Sequence, residues 1–93
     1  MKRQDDRTPE QKKTHTWLVT ATDKFLSGWG QARNGLSKCA WACKPEHREK
    51  VLNWVRGRSD MKYVNEHIGN WYPKNARHVH IYVVNEGHPS LAA

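Results

Sequence analysis

The sequence predicts an α+β fold: a four-stranded, mainly antiparallel sheet in the order β-β-α-β-β, with one helix on one face and a disordered N-terminal tail in front. Three observations carry this. Four segments, near residues 17–22, 36–44, 61–68 and 78–84, are rich in β-branched and aromatic residues or alternate in polarity. One segment, about 45–56, has helical apolar spacing and helical punctuation at both ends. Gly, Asn and Pro cluster between the segments, where turns belong. With 93 residues the chain is one domain, near the lower size limit for a self-supporting core.

Residues 1–14 are polar and charged, contain Pro9, and lack any apolar residue after Met1. Such a stretch has little to bury, so it is expected as a disordered tail. The domain proper then runs over 15–86, and 87–93, with Pro89 and two terminal alanines, is expected to fray. Trp17-Leu18-Val19-Thr20-Ala21-Thr22 reads as the first strand, and Asp23 as the start of a turn. Phe25 to Gly35 holds three glycines and Asn34, which makes it a structured loop or irregular hairpin connection.

Leu36 to Lys44 reads as the second strand. Cys39, Trp41 and Cys43 share one of its faces, and Lys38, Ala40, Ala42 and Lys44 the other. Pro45 suits the first position of a helix. Glu46 and Glu49 favour its positive end, Arg56 its negative end, and Gly57 its C-cap. Val51, Trp54 and Val55 form the apolar stripe, with Leu52 beside it. Met61 to Ile68 is the third strand, Gly69 to Asn75 a turn-rich loop, and His78 to Val84 the fourth strand. Val79, Ile81 and Val83 give that last strand a strict period-2 apolar face.

The two cysteines lie four residues apart on one strand, so their Cα atoms are about 13 Å apart. A disulfide needs about 7 Å or less. A lone C-x-x-x-C is a poor zinc site, and both residues read as small buried hydrophobes. No cofactor is implied. No nucleotide-binding glycine motif, serine-nucleophile motif or pair of catalytic carboxylates occurs, which points away from an enzyme. His78-Val79-His80 has the H-hydrophobe-H form of metal-dependent rolling-circle nucleases and relaxases. Only 13 residues follow His80, however, and none is a helical tyrosine nucleophile, so a nuclease is the remote alternative.

A β-β-α-β-β sheet with one helix leaves a second face uncovered. If Val79, Ile81 and Val83 pack on the helix over small Ala40 and Ala42, with Val64 and Ile68 in the core, the other face presents Trp41, Tyr63, His67, His80 and Tyr82. Lys38, Lys44, Lys62, Lys74 and Arg77 fall near its edges. Rings rimmed by cations suit single-stranded nucleic acid, because bases stack on rings while cations follow phosphates. The same rings suit a homodimer interface, and a one-residue change of register reverses the assignment. Gly28-Trp29-Gly30 is a second candidate, with Lys24 and Arg33 beside it; the glycines let backbone approach a ligand. Its alternative is a tight turn whose Trp plugs the sheet edge.

Thr20-Ala21-Thr22-Asp23-Lys24-Phe25-Leu26-Ser27-Gly28-Trp29-Gly30, together with Arg58 to Val64, resembles a family of small phage-encoded proteins carrying a T-D-x-x-x-S-G-W-G element. The resemblance spans residues 16–84 and carries over no catalytic or binding residue. It implies action in the host cytoplasm, either as a nucleic-acid-binding accessory protein or as an inhibitor of a host defence or replication protein.

Charge bears on the partner. Sixteen Lys and Arg against nine Asp and Glu give a formal charge of +7, which favours phosphate or acidic protein surfaces. Nine of the cations fall between Lys24 and Lys62, against Glu46, Glu49 and Asp60, so the excess is expected in the folded domain. No run of about 18 apolar residues occurs, so no membrane span is expected, and no secretory signal is read at the N-terminus.

Overall fold

The computed structural model describes residues 2–23, 36–74 and 76–92, and these form an α+β fold with a five-stranded mixed sheet and one main helix. The elements are β1 (Lys2–Asp5), α1 (Gln11–Thr14), β2 (Trp17–Asp23), β3 (Leu36–Cys43), α2 (Arg48–Arg56), β4 (Met61–Ile68) and β5 (Ala76–Val83). A 3-10 turn over Pro45–His47 leads into α2, and another covers Pro89–Leu91. Among the described residues no helix is long and apolar enough to cross a membrane.

The sheet order is β1-β5-β3-β2-β4. β2 pairs antiparallel with both β3 and β4, while β5 runs parallel to both β3 and β1. This corrects two expectations. The sheet has five strands and is mixed, because β4 adds outside β2 and the chain must then cross to the far side of β3 before β5 begins. Residues 2–14 are also part of the fold. Lys2–Asp5 is an edge strand held by backbone hydrogen bonds to β5, and the Asp6 amide donates to Ile81 O at 3.0 Å.

A buried ion pair anchors that first segment. Arg7 donates from Nε to Asp5 Oδ1 (3.0 Å) and from Nη2 to Asp5 Oδ2 (2.9 Å), and its Nη1 reaches His15 O. Burial pushes the Asp5 carboxyl up, but the Arg7 side-chain and backbone hydrogen bonds outweigh it and hold the pKa below the ordinary 3.8. A carboxylate whose folded pKa is depressed adds stability above its unfolded pKa and loses it as pH falls through the folded value. The urea midpoint is therefore expected to stay level down to about pH 5 and then fall. In Asp5→Asn that acid-side decline is shallower.

Two apolar layers sandwich the sheet. On one face Val19, Ala21, Cys39, Trp41 and Cys43 pack against Val51, Leu52 and Val55 of α2. On the other, Leu18, Ala40, Ala42, Val79 and Ile81 pack under Trp71 from the β4–β5 connection. Arg3 pins that connection: Nη1 donates to Trp71 O at 2.6 Å, and the guanidinium lies 4.3 Å from the Tyr72 ring centroid. The expected orientation of the sheet is thus inverted. Trp41 lies under the helix and is 4% exposed, whereas Val79 and Ile81 face the opposite side. Trp41 packs against Val51, Leu52, Val55 and Trp54 of α2, and Ala40 and Ala42 leave room for the Trp71 ring.

Both cysteines are free and buried, and burial raises each thiol to about 11. They act as small hydrophobes. The C-terminal segment is not frayed: Ser90 is buried, Leu91 packs on the helix-side core, and the His88 ring accepts the Ser90 amide at 3.1 Å. Ile68, expected in the core, is instead 68% exposed on the outer edge strand β4.

Candidate functional site

Helix α2 packs mainly on β2, β3 and β4 on its side of the sheet. The rest of that face, over β1, β5 and the near half of β3, is an open cleft of about 630 Å³. Strand register dictates what lines it. Lys2 is paired with His78 and Gln4 with His80, and on the other side Ser37 and Cys39 meet the same two histidines. Side chains at paired positions share a face, so Lys2, Gln4, His78 and His80 project together. Tyr82 closes the end nearest the helix. The Asp6 carboxylate lies against this wall, within hydrogen-bond distance of Gln4 and His80.

The rings form a continuous row. His80 stacks on Tyr82 with centroids 3.9 Å apart and planes 24° apart. Tyr82 in turn stacks on buried Trp41 at 5.7 Å and 21°, and Trp41 meets Trp54 of α2 edge-on at 5.7 Å and 79°. Such offset and edge contacts are the favoured arrangements of aromatic quadrupoles. Trp41 and Trp54 therefore fix the Tyr82 ring from behind, while Tyr82 stays 37% exposed toward the cleft. Burial raises the Tyr82 phenol above its ordinary pKa, so it remains a neutral donor.

Beside the row, Arg58 lies 4.8 Å from the Trp54 centroid and 5.9 Å from that of Trp41. Asp60 grips it through two hydrogen bonds of 3.0 and 2.8 Å, which raise its pKa further. Arg58 is thus a built-in clamp on the tryptophans. His88 meets Trp54 edge-on at 4.9 Å, and burial, then Arg58, lower its pKa.

Of the residues expected to bind a ligand, the fold brings His80 and Tyr82 together, with Trp41 beneath them. The others are dispersed. Lys38 points to the opposite face, where Nζ contacts Thr22 Oγ1 at 3.3 Å. Lys44 lies beyond the end of β3, beside a separate hollow with His15 and His47. Tyr63 and Lys62 sit on β4, the far edge of the sheet; Tyr63 is 76% exposed at a bulge with φ 55°. Lys74 and Arg77 are exposed near the start of β5. Lys24, Trp29 and Arg33 lie outside the described residues. Trp41 supports the site from below and does not present itself at the surface.

Sequence reasoning missed Lys2, Gln4 and Ser37 as wall residues. Lys2 and Gln4 lie in a stretch with no apolar alternation, so no periodic signal marked it as a strand. Among the described residues no three or more His, Cys, Asp or Glu converge to hold a metal ion. Comparison with known proteins finds no match: no family model fits the sequence, no curated protein is similar to it, and no solved structure matches the fold.

Proposed function

We propose that this chain is a non-enzymatic nucleic-acid-binding protein, of the phage accessory type acting in a host cytoplasm, that takes single-stranded DNA or RNA into the cleft over β1, β5 and β3. One observation carries this reading: a fixed, partly exposed His80–Tyr82 stack in a cleft lined by Lys2, Gln4 and His78. Bases stack on such rings with little regard to sequence, and donors beside them take phosphate oxygens. A double helix keeps its base faces stacked inside, so rings at the floor of a cleft favour unpaired strands. The +7 charge of the whole chain adds long-range attraction.

Titration of the intrinsic Trp fluorescence with a single-stranded oligonucleotide tests this. Binding is expected at low salt, with a slope of log K against log salt of about −2 for three phosphate contacts. Tyr82→Leu, which keeps apolar volume over Trp41, is expected to weaken binding by about 1–3 kcal/mol. Tyr63→Ala, at the other edge of the sheet, should leave it unchanged. A titration that is silent at low salt removes the reading.

A second reading, a small inhibitor of a host protein, is favoured by β4. This edge strand exposes Tyr63 and Ile68, and unpaired edges recruit protein strands. Recovery of one stoichiometric host protein after nuclease treatment, lost in Tyr63→Ala with Ile68→Lys, supports it.

A further inference from the structure

Gln4 and His80 are paired across β1 and β5, and both direct a donor at one carboxylate. Gln4 Nε2 donates to Asp6 Oδ1 at 3.0 Å, and His80 Nε2 meets Asp6 Oδ2 at 2.8 Å. An ionised carboxylate only accepts, so Nε2 of His80 carries the proton. We propose that Gln4 and His80 form a phosphate-recognition pair, and that the Asp6 carboxylate is a resident internal anion which an incoming phosphate displaces. The inference rests on the strand-binding reading for its biological ligand, but its chemistry is that of any phosphate group.

Three features make the displacement feasible. The pair is solvent-exposed, and exposed ion pairs contribute little to stability. The Asp6 backbone is fixed by its amide hydrogen bond to Ile81 O, so only the side chain must rotate. Lys2 and His78, the next register pair along the same strands, lie on the same cleft wall and add attraction for an anion that Asp6 does not reach. Asp6 therefore screens the cleft against weakly held anions and yields to a phosphate that also engages Lys2 and the Tyr82 platform.

The test uses the full chain and two probes: inorganic phosphate, and a single-stranded oligonucleotide. The Tyr82 ring and Gln4 side-chain amide signals, with those of the His80 ring where it is present, are followed by NMR in the wild type, in Asp6→Asn, and in Glu86→Gln, which makes the same charge change at an exposed turn. Asp6→Asn is expected to tighten both probes about three- to tenfold, the scale of one charge-assisted hydrogen bond. Glu86→Gln should change neither. Adding His80→Phe, which keeps a ring on Tyr82 but removes the donor, should abolish the gain. The proposal is overturned if Asp6→Asn binds phosphate no better than Glu86→Gln, or if the gain survives His80→Phe. Phosphate that moves His80 while the oligonucleotide does not supports this anion pair and counts against strand binding alone.

Discussion

Trp41→Ala is expected to lower stability by about 3–5 kcal/mol. A domain of this size has about 5–15 kcal/mol in total, so the variant sits close to unfolding at room temperature. The reason is position. Trp41 is buried between sheet and helix, and its ring contacts Tyr82 on one side, Trp54 on another, and the Arg58 guanidinium at 5.9 Å. Alanine removes the ring that joins α2 to β5 and leaves a cavity that neither neighbour can fill. Trp41→Phe keeps an aromatic plane for Tyr82 and is expected to cost less than half as much. Urea denaturation measures both. A loss below about 1 kcal/mol in Trp41→Ala would place the ring at the surface, since substitutions away from buried features stay near that range.

The second large effect is expected from Arg7→Ala, at about 3–5 kcal/mol. The Arg7 and Asp5 side chains are 1% and 13% exposed, so the variant leaves a largely buried carboxylate with only the longer Arg3 contact at 3.8 Å. It also frees His15 O and the turn that carries the chain from β1 to β2. The melting temperature should fall by more than about 10 °C. Hydrogen exchange should locate the damage, with the Asp6 amide losing its protection along with β1. Replacing Asp5 and Arg7 together by apolar residues of similar size should recover much of the loss, because no unpaired charge then remains. An Arg7→Ala protein that melts normally with a protected Asp6 amide would show that the ion pair does not hold β1 on the sheet.

These two residues also mark where sequence reading reached and where it stopped. Strand periodicity grouped Cys39, Trp41 and Cys43 on one face and Val79 and Ile81 on another, and the structure keeps both groupings. Periodicity does not say which group faces the helix when both faces are apolar, and one residue of register reverses everything. The missing clue was Trp71. A large ring in a Gly- and Pro-rich connection has to bury somewhere, and small Ala40 and Ala42 provide the place. That pairing leaves Trp41 for the helix side.

The N-terminal strand was illegible for a different reason. Lys2–Asp5 is an edge strand whose outward side chains remain half-exposed, so its pairing is a matter of backbone hydrogen bonds and ion pairs. Neither leaves a hydrophobic pattern. The candidate site suffered from this directly, because β1 supplies one wall of the cleft. His80 and Tyr82 were legible as neighbours on one strand face. Their partners Lys2 and Gln4, 76 residues away in sequence from those they meet, were not. The basic excess between Lys24 and Lys62 likewise did not locate the cleft, since Lys38, Lys44 and Lys62 scatter to three different parts of the surface.

The central claim is that single-stranded nucleic acid occupies the cleft over β1, β5 and β3. Chemical-shift mapping of the labelled chain during titration with a short single-stranded oligonucleotide tests it most directly. The backbone and ring signals of Gln4, His78, His80 and Tyr82 are expected to move together and saturate at one concentration, with β4 unmoved. Shifts confined to Tyr63, Ile68 and the rest of β4, or no saturable shifts at low salt, would contradict it.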